Sequence, residues 1–80
     1  MPRHGRDLTP RQRDVARLIG LGYTNAQIAA RLVLQPGTVA NHVAHILFRL
    51  GLRNRSQVAV WAARQGLIDG PHPAQQARVA

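Results

Sequence analysis

Residues Pro36 to Leu50 read PGTVANHVAHILFRL, and the spacing of their apolar members decides the fold. Val39, Val43, Ile46, Leu47 and Leu50 recur at i, i+4, i+7, i+8 and i+11. At about 100° per residue they draw one apolar stripe down an α-helix. Thr38, Asn41, His45 and Phe48 fall on the opposite side, with Ala40 and Ala44 at one margin and His42 and Arg49 at the other. The outward face therefore offers small residues, one amide and one imidazole, with arginine close behind. Such a surface can approach a partner closely and hydrogen-bond to it, which suits the edges of DNA bases.

Upstream of this helix, a shorter one is marked out by Thr24 with Gln27 three residues on, a T-x-x-Q capping box. Ile28, Ala29 and Leu32 form its inner face and Arg31 points outward; Val33, Leu34 and Gln35 make a tight connection into Pro36. A short helix, a short turn and a longer amphipathic helix is the helix-turn-helix arrangement. Further upstream, Thr9, Pro10 and Gln12 set the same box around a first helix whose buried stripe is Val15, Leu18 and Ile19. Gly20 and Gly22 are expected to stop it, Gly22 as the left-handed cap. Gln35 is a poor cap for the third helix, and Pro36 offsets part of that by fixing φ.

Downstream, Gly51 ends the third helix, Leu52 is expected to fold back on the core, and Asn54 to Gln57 read as a third capping box opening a fourth helix. Val58, Trp61 and Ala62, with Leu67 and Ile68, are its expected inner face, and Ala59, Ala63 and Gly66 line the other side. Small residues at those steps allow two helices to approach closely, so this edge is the expected contact between two copies. The expectation is one all-α, four-helix domain over residues 8–68, with a basic lead-in at 1–7 and a polar, proline-rich tail at 69–80 too poor in apolar residues to fold. No run alternates with a period of two, so no strand is expected.

Composition narrows the partner. The 80 residues include eleven Arg, no Lys, no Glu, three Asp and no Cys, for a net charge of +8. Between Leu8 and Ile68 stand eight Arg and one Asp, or +7, so the charge belongs to the folded part and not to the ends. A polyanion is the expected partner, with nucleic acid favoured over a membrane surface; the plainer alternative is a solvated surface from an arginine-biased genome. Arg49, Arg53 and Arg55 cluster where phosphates would border a groove holding the third helix. Without cysteine neither a disulfide nor a Cys-containing zinc site can staple the chain. No apolar run is long enough for a signal peptide or a membrane span, which makes a cytoplasmic setting the expectation.

At the level of whole motifs, L-T-P-R (Leu8 to Arg11), T-N-x-x-I-A (Thr24 to Ala29), T-V-x-x-H-V (Thr38 to Val43) and L-G-x-R-N-R (Leu50 to Arg55) occur in order. Together they closely resemble the LuxR-type (GerE-type) helix-turn-helix domain of bacterial transcription regulators. The resemblance implies a tetrahelical domain with its third helix in the major groove and dimerisation through the fourth on two half-sites. Carried onto this chain, it implies that Thr38, Ala40, Asn41, Ala44 and His45 face bases, and that Thr24 and Asn25 meet phosphate at the start of the second helix. Arg53 and Arg55 match the family's basic loop. The family pattern usually has lysine where Ala40 stands, often a basic residue where Phe48 stands, and glutamates in place of Gln12 and Gln27. The third helix is thus less cationic than in the pattern. Most members carry the domain behind a sensor or receiver, so the chain is expected to be either an excised effector domain or a regulator controlled by a separate sensor protein. RNA polymerase is a further expected contact.

Other functions have less to rest on. His42 and His45 could share a metal, yet no third ligand is apparent, since His4 and His72 lie in the ends; no cofactor is expected. No nucleophile–base pair and no glycine-rich phosphate loop occurs, so no enzyme is expected. The competing reading is a protein-interaction module built on the fourth helix and Phe48, with a vestigial DNA-binding face. A sigma-factor-like domain shares the helices but not L-G-x-R-N-R. Three placements fit Phe48: against thymine methyls, against another protein, or folded over the Leu52 loop. For His45 a hydrogen bond to base or phosphate is expected, for Trp61 a place in the core.

Overall fold

Thr9 starts the fold. In the computed structural model, which describes residues 8–68, the Gln12 N–H donates to Thr9 Oγ1 (3.1 Å) and the Thr9 N–H donates to Gln12 Oε1 (3.0 Å). Both arms of the box are made, and α1 runs Pro10–Gly20. Thr24 and Gln27 repeat it at 3.1 and 2.9 Å, opening α2 at Asn25–Leu32. α3 is Pro36–Leu50, with no side-chain bond at its Gln35 cap, and α4 is Arg55–Arg64. The four helices, with no strand among the described residues, make the all-α domain that the periodicity predicts. The lead-in and tail lie outside the described residues.

Every helix contributes to one core. Val15 of α1, Ile28 of α2, Val39 and Ile46 of α3 and Val58 of α4 are its largest fully buried side chains. Val43 and Leu47 flank the α3 stripe half-buried, and Leu52 folds back onto the core. α1 packs mainly on α4 and also crosses α3, while α2 packs on α3; α2 and α4 do not pack on each other. The helix-turn-helix pair α2–α3 is therefore held on a base formed by α1 and α4, which leaves the outer face of α3 open.

Several local expectations need correction. Gly20 does not stop α1: it is the last helical residue, and a Cβ there would overlap the Ile68 side chain and sit 3.2 Å from Ala62 Cβ. Its role is close approach between α1 and the end of α4. Gly22, at φ +93°, is the left-handed residue as expected. The third capping box is only half made. Asn54 Oδ1 accepts from the Gln57 N–H (3.0 Å), but Gln57 Oε1 accepts from the N–H of Arg53 (2.7 Å) and not from that of Asn54. Asn54 is extended at φ −152°, and the bond instead ties down the loop before α4. Trp61 packs against the core as expected, though half-buried, with its exposed part in a shallow groove shared with Leu52, Val60 and Arg64.

Candidate nucleic-acid interface

α3 has three buried residues, Val39, Ile46 and Leu50, on one side, so its opposite side must face outward. Ala40, Asn41, Ala44 and His45 are exposed there, and Thr38, in the first turn, is half-buried. His42 is half-buried at the flank. Phe48 is 87% exposed, which excludes the placement over the Leu52 loop. Arg49 is exposed in the last turn, and Arg53 is exposed in the loop that follows.

Charge sharpens this surface. Asp14 is the only acidic side chain among residues 8–68, and it lies on α1 at 4.0 Å from Arg11. From Val15 to Ile68 the chain carries no carboxylate at all. Nothing on α2, α3 or α4 would repel a phosphate.

The start of α2 is tied down by bonds within the protein. Thr24 Oγ1 is occupied as the cap of α2. Asn25 is half-buried, and its Oδ1 accepts from Arg55 Nη1 (2.6 Å), while Arg55 Nη2 donates to the Tyr23 carbonyl (2.6 Å). Two of the Arg55 nitrogens are thus engaged within the protein. The Arg55 guanidinium bridges the start of α2 to the first turn of α4, two helices whose backbones do not approach closely. Burial lowers its pKa from the ordinary arginine value, and a guanidinium still stays charged at any physiological pH. The local cation remains beside the α2 start, held by the protein itself. Asn25 and Arg55 belong to one bonded unit, with Tyr23 as a member that the sequence did not suggest. Tyr23 also carries the Arg31 guanidinium over its ring, 4.5 Å from the centroid.

The fourth-helix edge is also rearranged. Ala59 is half-buried against the core, beside the α1–α2 turn. Gly66 lies beyond the helix, at φ +74°, where it lets Leu67 turn back to the Ala62 carbonyl (3.0 Å). Of the three small residues only Ala63 lies exposed on α4 itself. Next to it Val60 is 53% exposed. A hint was present in the sequence: Val58, Val60, Trp61 and Ala62 are too closely spaced for one stripe to bury them all.

Residues 6–62 match the family model for bacterial regulatory proteins of the luxR family (GerE). The chain belongs to that family. As a LuxR-type domain it is a DNA-binding module of transcription regulators. Among its relatives, the putative HTH-type transcriptional regulator Rv0890c of Mycobacterium tuberculosis is 48% identical over 59 residues, 74% of this chain and 7% of that protein. The nitrate/nitrite response regulator protein NarL of Escherichia coli K12 is 41% identical over 61 residues, 76% of this chain and 28% of NarL. The DNA-binding transcriptional activator DevR/DosR of M. tuberculosis is 44% identical over 55 residues, 69% of this chain and 25% of the activator. The LuxR-type chain thus spans between 7% and 28% of these relatives. No helix among its described residues is long and apolar enough to cross a membrane.

Proposed function

We propose that this LuxR-type domain binds duplex DNA sequence-specifically to regulate transcription in the cytoplasm, with α3 in the major groove. Thr38, Ala40, Asn41, Ala44 and His45 face base edges, and Thr24, Asn25, Arg49 and Arg53 line the phosphates. Arg55 positions the α2 start and adds its charge there. Two copies meet through α4, at Ala63 and the neighbouring Val60, on an inverted repeat. Control comes from a separate sensor or an attached one, and RNA polymerase is a further contact.

The observation that carries this reading is the exposed α3 face of small and hydrogen-bonding residues on a surface that has arginines and no carboxylate from residue 15 to 68. Ala40 and Ala44 keep that face low enough to enter a groove about 12 Å wide, and Asn41 can pair with adenine N6 and N7. The groove at Leu52, Val60 and Trp61 favours a second reading, a protein-interaction module.

Selection of bound sites from a pool of random duplexes separates the two. The DNA reading expects an enriched half-site and salt-sensitive binding. Neutralising roughly four to six phosphates per protomer gives a slope of about −4 to −5 in log K against log salt. No enriched site together with a flat salt response would leave the interaction module.

A further inference from the structure

Phe48 is 87% exposed on the outer face of α3. It lies seven residues after Asn41, and seven steps of about 100° bring it to within about 20° of the same line along α3. Both residues point almost directly away from the stripe of Val39, Ile46 and Leu50. Phe48 lies about 10 Å further along the helix than Asn41, a span comparable to roughly three base-pair steps along a strand. Ala40 and Ala44 precede Phe48 at four-residue steps, and all three are exposed, so an apolar row runs beside the Asn41–His45 row. A ring reaching several ångströms beyond its Cβ can touch a groove floor that falls away from the end of a straight helix.

The base edge that rewards such contact in the major groove is the C5 methyl of thymine, which has neither donor nor acceptor and gains by leaving water. We infer that Phe48 is a specificity-determining residue that reads thymine C5 methyl groups about three base pairs from the pair read by Asn41. The inference rests on the placement of α3 in the major groove set out under the proposed function. Its protein-contact alternative has the weaker support: the ring shares its line with hydrogen-bonding residues on an acid-free surface, whereas the apolar groove of Leu52, Val60 and Trp61 is built on α4. Because 87% of Phe48 is exposed, its removal costs the fold little.

The experiment uses the half-site selected by the wild-type chain. Each thymine is replaced in turn by deoxyuridine, which deletes the methyl and keeps every hydrogen-bonding group. Wild type is expected to lose roughly fourfold affinity per contacted methyl, at one or two positions on the side of the half-site remote from the α3 N-terminus. Phe48→Ala, folded by circular dichroism, should bind thymine and deoxyuridine alike at those positions and keep the Asn41-dependent base preference. Replacing cytosine by 5-methylcytosine at the same place should restore part of the affinity for wild type and none for Phe48→Ala. A selected half-site whose deoxyuridine penalties are the same in both proteins would overturn the inference and leave the DNA-binding reading standing. Loss of cooperativity in Phe48→Ala with an unchanged methyl response would overturn it in favour of a protein contact. Failure of wild type to select any site would remove both readings together.

Discussion

Arg53 and Arg55 stand two residues apart in the same basic loop, and the tertiary structure gives them different tasks. Arg53 is exposed, and its backbone N–H donates to Gln57 Oε1. Arg55 spends its side chain on the Asn25 amide and the Tyr23 carbonyl. Replacing Arg53 by alanine is expected to weaken specific and nonspecific duplexes alike, because a phosphate contact carries no sequence information, and to leave thermal stability within about 0.5 kcal/mol. Arg55→Ala removes two charge-assisted bonds from a half-buried site and should destabilise the domain by roughly 1–2 kcal/mol. Lysine lacks the planar fork whose two nitrogens reach separate acceptors, so Arg55→Lys should recover only part of that loss. Thermal unfolding of the three variants checks this, and equal stability of Arg55→Ala and wild type would sink the bridging role. Both arginines are visible in the sequence as one cluster. Only the fold separates them.

At the scale of the elements, the α2–α3 turn carries a local cost. Val33 is 88% exposed and sits at φ +57°, ψ +52°, in the left-handed region that β-branched residues avoid. From there the Leu34 N–H reaches the Ala29 carbonyl (2.9 Å) and closes α2. The turn must reverse the chain within a few residues because both flanking helices are pinned to the core, by Ile28 and Val39. Packing therefore imposes the conformation on a residue that would not choose it. Val33→Gly should relieve about 1 kcal/mol, part of it returned through the greater freedom of glycine in the unfolded chain. The expected net effect is a rise in melting temperature of a few degrees, read by circular dichroism. A lower melting temperature would mean that Val33 supports the turn in some way other than its backbone. The capping boxes at Thr9 and Thr24 are opposite in character, since each spans three residues and could be read before any tertiary contact was known.

For the whole molecule, the issue is how two small cationic domains share one site. The exposed part of α4, Val60 with Ala63 and Arg64, is the proposed contact. It covers only a few hundred Å², and at about 25 cal/mol per Å² most of the gain is consumed by the entropy of association. The free chain should be mainly monomeric at micromolar concentration, and binding to an inverted repeat with half-site centres about one helical turn apart should be cooperative. Val60→Arg would bring a cation beside Arg64 on a face that meets its own copy. It should reduce cooperativity at least about tenfold and leave single half-site affinity equal or slightly higher, in titrations of full and half sites. Retained cooperativity, or a tight dimer joined elsewhere in sedimentation, would move the interface off α4.

The four helices, the starts of α1 and α2 and the outward face of α3 follow from information spanning three or four residues: caps and a 3.6-residue period. Such features depend on neighbours along the chain, so the sequence alone was sufficient for them. It was also sufficient for the sign and location of the charge. The Arg55–Asn25 bridge spans thirty residues, the fit of Gly20 under Ile68 seats the end of α1 against the segment after α4, and Ala59 turns out to pack half-buried against the core. Periodicity says which side of a helix is apolar, but not which helix will cover it or at what angle. That choice is made jointly by the side chains of all four helices as they fill one core, and it exists only in the tertiary structure.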